Sequence, residues 1–83
     1  MIYTVTWTRH AVNQLAFYWN STKNKRGITL ASDTIDRDLK NDPDKKAVAF
    51  DEFFVDCVSP LAVLLRINPD DRIVEVVEVA PYE

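Results

Sequence analysis

The sequence predicts an α+β fold in the order strand, helix, helix, strand, strand, strand, with a mostly antiparallel four-stranded sheet and a two-helix hairpin on one face. Three observations carry this. Apolar residues alternate near both ends of the chain, they recur at spacings of three and four between those ends, and Asn68-Pro69-Asp70-Asp71 has tight-turn chemistry between two apolar runs.

Ile2 to Trp7 are mostly β-branched or aromatic, and Tyr3, Val5 and Trp7 alternate with Thr4 and Thr6, as in a half-buried strand. Thr8 then caps a helix at about residues 9 to 20, whose apolar positions are Ala11, Val12, Leu15, Tyr18 and Trp19. Thr22 to Gly27 is polar, basic and holds the only glycine, so it reads as the connector between antiparallel helices. Ile28, Ala31, Ile35 and Leu39 mark the inner stripe of a second helix, which Asn41-Asp42-Pro43 ends.

Glu52 to Val58 alternates again, with Phe53, Val55 and Cys57 on one side and Phe54, Asp56 and Val58 on the other. Ser59-Pro60 breaks that strand. Leu61 to Ile67 and Arg72 to Val79 form the closing hairpin, with Leu61, Val63, Leu65 and Ile67 on one face and Ala62, Leu64 and Arg66 on the other. The helices should cover one face of the sheet and leave the second open.

Eighty-three residues make one domain, residues 1–83, and a composition 47% hydrophobic and 28% charged excludes a disordered chain. A lone cysteine, Cys57, excludes an internal disulfide and the paired spacings of zinc sites. The expectation is a fold without cofactor or metal. Apolar runs such as Leu61 to Leu65 are too short to cross a bilayer, and Met1 to Trp7 lacks signal-peptide character, so no membrane contact and a cytoplasmic location are expected. A net charge of −3 and a pI near 5.0 argue against a surface that grips phosphates throughout.

Arg66 is the one basic residue within the third strand. It is a candidate phosphate or carboxylate binder, or else the cross-strand partner of Glu75 or Glu78. Arg72 is either a charge stabiliser or a simple partner of Asp70 or Asp71, and Tyr82 offers a phenol near the chain end. Lys45 and Lys46, with Lys23, Lys25 and Arg26, are the local concentrations of positive charge. Leu64 lies on the open face and suits a protein partner. His10, at a helix start, reads as a surface residue, Cys57 as a buried small hydrophobe, and Trp7, Tyr18 and Trp19 as core.

The order of elements, the opening Tyr3-Thr4-Val5-Thr6-Trp7-Thr8 and the closing Pro60 to Val77 hairpin resemble the RelE/ParE toxin superfamily over nearly the whole chain. The resemblance implies a toxin-like protein of a type II toxin–antitoxin pair, neutralised by an antitoxin that wraps it. Its RelE-like members cut messenger RNA in the ribosomal A site, and its ParE-like members poison DNA gyrase. Nuclease members use lysines and arginines of the middle strands and a basic or aromatic residue near the C terminus. That would make Arg66, Arg72 and Tyr82 the catalytic candidates, and Lys45, Lys46 and Leu64 the candidates for RNA or partner binding. The chain departs from the nuclease pattern at Ala62, where arginine is frequent, and at Phe53-Phe54-Val55-Asp56, which lacks lysine. These departures keep a second reading open: a non-catalytic binding module, either a retired toxin or a gyrase-type inhibitor. A structural or oligomerising domain is the third.

Overall fold

In the computed structural model, which describes residues 2 to 82, capping chemistry sets the helix starts. The Thr8 hydroxyl accepts the Ala11 backbone N–H at 3.1 Å and opens α1 (Arg9–Ser21). Asn24 does the same for Gly27, also at 3.1 Å, and opens α2 (Lys25–Lys40). Gly27 therefore lies inside a helix and not in the connector. A Cβ there would run into the Asn24 side chain, so glycine is what allows this cap to close.

The strands are β1 (Thr4–Trp7), β2 (Val48–Phe50), β3 (Phe53–Val58), β4 (Leu61–Asn68) and β5 (Ile73–Pro81), with a one-turn helix α3 (Pro43–Lys46) before β2. They form one sheet in the order β1-β5-β4-β3-β2, parallel only between β1 and β5. The expected four strands are thus five. The addition is β2, a three-residue edge strand that doubles back on β3 through Asp51 and Glu52. Asp51 takes a φ of 57°, as the first position of such a turn demands.

Leu61, Val63 and Leu65 of β4 and Val74, Val76 and Val79 of β5 are buried against Ala11 of α1 and Ile28, Ala31, Ile35 and Leu39 of α2. The second helix buries the stripe its periodicity predicts. The first buries less: Ala11 is enclosed and Leu15 and Tyr18 are half-buried, while Val12 and Trp19 lie at the surface. Trp19 is therefore not core. Its ring lies 5.0 Å from the Lys25 ammonium, and its N–H reaches Thr29 at 3.3 Å.

Where β1 ends at Trp7, α1 takes over the exposed edge of β5. The Thr8 N–H donates to the Val76 carbonyl at 3.0 Å, and Gln14 Oε1 accepts the Val79 N–H at 2.7 Å. A shift of register between Leu64 and Leu65 lets β5 bend under the helix. On the other side of β1, the Tyr3 N–H reaches the Lys40 carbonyl at 2.9 Å and the Trp7 indole reaches Asp36 at 3.4 Å, tying α2 to the sheet.

Candidate functional site

The sheet face opposite the helices is uncovered, and the register shows what it presents. Val55 lies beside Leu64, Cys57 beside Ala62, and the row continues through Phe53 and Arg66. Phe50 and Val48 extend it onto β2, and Glu75, Glu78 and Ala80 onto β5. Cys57 is consequently exposed and not buried. The inward members of β3 are Phe54, Asp56 and Val58, with Asp56 7% exposed.

Most of this face is apolar. Phe50, Val55, Ala62, Leu64 and Ala80, with Glu78, line a depression of about 290 Å³. A neighbouring depression of about 520 Å³ runs from Lys46 across Val48 and Phe50 to Cys57. Val48 and Phe50 are 72% and 65% exposed, a large apolar display for an edge strand.

The polar end lies at the β4–β5 hairpin. Arg66 stands opposite Glu75, with Nη1 3.7 Å from the carboxylate, and its guanidinium stacks 5.0 Å from the Phe53 ring. Arg66 and Glu75, together with Ile67, Asn68, Pro69 and Ile73, line a cavity of about 450 Å³. The cross-strand partner expected for Arg66 is therefore present, and it is Glu75. Glu78 pairs instead with the exposed His10 at 3.5 Å.

Arg72 lies just before β5, in the left-handed region at φ 54°, and its carbonyl accepts the Thr4 N–H at 2.8 Å. Its expected pairing with Asp70 or Asp71 does not form. Asn68 organises that turn, receiving the N–H groups of both aspartates at 3.1 and 3.2 Å and binding the Asp71 carboxylate at 3.1 Å. Tyr82 is 46% exposed, and its N–H donates to the Pro60 carbonyl at 2.8 Å, at the opposite end of the sheet. Arg66 registers with Glu75 and Tyr82 follows Pro81, a separation of roughly 20 Å along β5 at ~3.3 Å per residue. Arg66 and Arg72 share one end, and Tyr82 stands apart from both. Proton transfer and phosphate binding at one centre need groups within about 3 Å of the reacting atoms. No such trio converges here.

Lys45 and Lys46 occupy the last turn of α3, at the β2 edge, and Lys46 reaches the border of the apolar face. Lys46 and Leu64 thus flank one surface, a juxtaposition not anticipated because β2 was not.

Asp56 is the group that sequence reasoning undervalued. It lies on the β3 face that packs against α2, and one carboxylate oxygen, Oδ2, has no hydrogen-bond partner. Desolvation, reinforced by nearby Asp38, raises its pKa from the ordinary 3.8, against smaller opposing pulls from the Cys57 N–H and Lys46.

Charge is segregated along the chain. Residues 1–32 hold Arg9, Lys23, Lys25 and Arg26 and no acid, a net +4; residues 33–83 hold the other six basic residues and all thirteen acids, a net −7. The basic part includes α1, the connector and the start of α2, where Val12, Leu15, Ala16, Trp19 and Ile28 line a groove of about 410 Å³. Among the described residues no cluster of metal-ligating side chains forms, and no helix is long and apolar enough to cross a membrane.

No protein-family model matches the chain, and no curated protein matches it in sequence. Solved structures do. A chain of the RelBE2 toxin–antitoxin complex from Mycobacterium tuberculosis superposes with a TM-score of 0.78 at 20% identity, covering 98% of this chain and 99% of that one. A chain of the chromosomal ParDE toxin–antitoxin system of P. aeruginosa gives 0.66 at 13% identity, covering 99% and 98%. One from the archaeal RelE–RelB complex of Pyrococcus horikoshii gives 0.61 at 15%, covering 98% and 96%. The five-stranded sheet, the helix hairpin on one face and this two-way coverage together give the chain the RelE/ParE toxin fold.

Proposed function

We propose that this protein is the toxin-like member of a type II toxin–antitoxin pair in the cytoplasm, and that it acts by binding and not by cleaving RNA. The observation that supports the pairing is the end-to-end likeness to chains from three toxin–antitoxin complexes, with neither partner of the comparison left with an unmatched domain. The open face supports the mode of action. It carries an apolar strip through Phe50, Val55, Ala62 and Leu64, and its one guanidinium, Arg66, is already engaged by Glu75 and Phe53. Surfaces of this kind bind polypeptide through apolar contact with a polar rim. An antitoxin segment with acidic residues would also be drawn to the basic end of the helix hairpin, where Lys23, Lys25 and Arg26 lie between α1 and the start of α2.

The test is controlled induction of the protein alone in a bacterial host, with solubility followed in the same samples. The expected outcome is growth arrest, relieved by co-expressing the product of the adjacent gene, with messenger RNA intact. Normal growth with abundant folded protein and no bound antitoxin would refute the pairing. Cleavage of message by purified protein on ribosomes would refute the binding mode and restore the nuclease reading, with Arg66 and its 450 Å³ cavity the first place to look. Inhibition of supercoiling by purified DNA gyrase would identify the bound target.

A further inference from the structure

The two depressions of the open face form one trough. Phe50 and Val55 line both, so an apolar floor runs from Lys46 beside β2 to Glu78 on β5. Val55 registers with Leu64 and Leu64 with Glu78, which puts the carboxylate at the end of that row. The two ends of the trough carry opposite charge. Asp56 also borders it, but its side chain lies on the inward face of β3 and is buried. Asp51 and Glu52 belong to neither lining, and at the flank Arg66 and Glu75 answer each other.

Both end charges are open to a partner. Among the described residues Lys46 forms no ion pair. Glu78 pairs with His10 at 3.5 Å, but both side chains are more than half exposed and the imidazole is charged only when protonated. A pair of that kind contributes about 0–1 kcal/mol and yields readily to a stronger cation. From β2 to β5 there are three interstrand spacings, a span of about 14 Å. A segment crossing this floor lies on the side chains of Val55, Ala62 and Leu64, which offer no hydrogen bonds. An extended segment would bury unpaired N–H and C=O groups there, whereas a helix satisfies its own. In a helix the span corresponds to roughly nine residues, enough for apolar positions at i, i+3, i+4 and i+7 between two charged ends.

We propose that the open face takes one amphipathic helix of a partner polypeptide, laid across the strands with a basic residue against Glu78 and an acidic residue, about nine positions away, against Lys46. This rests on the reading of the open face as a polypeptide-binding surface, and it adds the partner's conformation, length and charge order. Glu78 has a second effect. A carboxylate at the end of the floor repels phosphate, so the same geometry that selects a cationic helix end disfavours a nucleic acid strand.

The test uses two synthetic helical peptides with acetylated and amidated ends and the same leucine stripe. One carries a lysine and a glutamate nine residues apart, and its twin carries glutamate at both places. Each is titrated into the folded chain and followed by backbone amide chemical shifts. The expected shifts centre on Val55, Ala62, Leu64 and Glu78, with the lysine–glutamate peptide bound about fivefold or more tightly than its twin. Glu78→Lys, at an exposed position, should reverse that preference. The chain keeps a negative net charge in this variant, so overall charge cannot produce the reversal. Absence of binding, shifts centred on the helix side, equal affinity for the two peptides, or an unchanged order in Glu78→Lys each overturn the proposal. Growth arrest that an adjacent gene product relieves, without any peptide preference, would sink the helix and leave the toxin–antitoxin pairing standing. The preference without growth arrest would support the helix and sink the pairing.

Discussion

Asp56→Asn tests whether the buried carboxylate works against the fold at neutral pH. Asp56 is 7% exposed, faces the helices beside Phe54 and Val58, and leaves Oδ2 without a partner. A buried polar group in that state costs about 1–3 kcal/mol, more when ionised. Asparagine keeps the shape and removes the charge, and with it the repulsion from Asp38. Because the native pKa is raised, the folded state holds its proton to higher pH than the unfolded chain, whose value is near 3.8. Below that value both states are protonated and Asp56 has no effect. As pH rises through the folded pKa the native protein must ionise a buried group, and stability is lost. Urea unfolding of wild type and Asp56→Asn from pH 3.5 to 7.5 isolates this residue from the other carboxylates. The difference should be near zero at the acid end and grow to a plateau of about 1 kcal/mol or more in favour of asparagine, a rise of roughly 4–8 °C in Tm per kcal/mol for a domain this size. A difference that is constant across the range, or that favours aspartate at neutral pH, would refute the reasoning.

Arg66→Ala should cost less than about 1 kcal/mol in thermal unfolding, because the pair with Glu75 is exposed and long at 3.7 Å; loss of growth arrest at such a small cost would assign the guanidinium to the target contact. Arg72→Gly should stabilise the protein by about 1 kcal/mol by relieving a left-handed backbone, and Arg72→Ala should not, a contrast read directly from Tm. Gln14→Ala leaves the Val79 N–H without its acceptor at 2.7 Å and should destabilise by about 1–3 kcal/mol in urea unfolding. A neutral result would mean that β5 finds another acceptor there.

The second helix and β4 were legible because each carries one unambiguous period. Ile28, Ala31, Ile35 and Leu39 admit no other reading and are all buried. So are Leu61, Val63 and Leu65, whose alternation places Ala62, Leu64 and Arg66 outward. In α1 the apolar residues number more than one face can bury, and tertiary placement sends Val12 and Trp19 to the surface. At Gly27 the cap reaches back to Asn24, so a residue that usually punctuates a chain becomes part of a helix. Short β2 has too few residues to show a period at all, and its existence depends on the turn at Asp51 and Glu52.

The face of β3 is the instructive error. Both of its alternating sets contain two large hydrophobes, so counting apolar residues favours burying Phe53, Val55 and Cys57 over a set that contains an aspartate. Strand pairing decides otherwise. Ser59-Pro60 is a two-residue connection, so Val58 must lie opposite Leu61 and Asp56 opposite Val63. Residues directly opposite share a face, and the face of Leu61 and Val63 is the buried one. That inference needed only the sequence of β4 and the length of the loop, and it places an aspartate in the core and a thiol on the surface. It also sets the chemistry of the open face, since Phe53, Val55 and Cys57 join Ala62 and Leu64 there. With those five residues in place and Tyr82 at the far end of the sheet, the one carboxylate paired with Arg66 among the described residues is that of Glu75. A surface so composed is suited to holding a polypeptide, and that is the physical basis for preferring contact over catalysis.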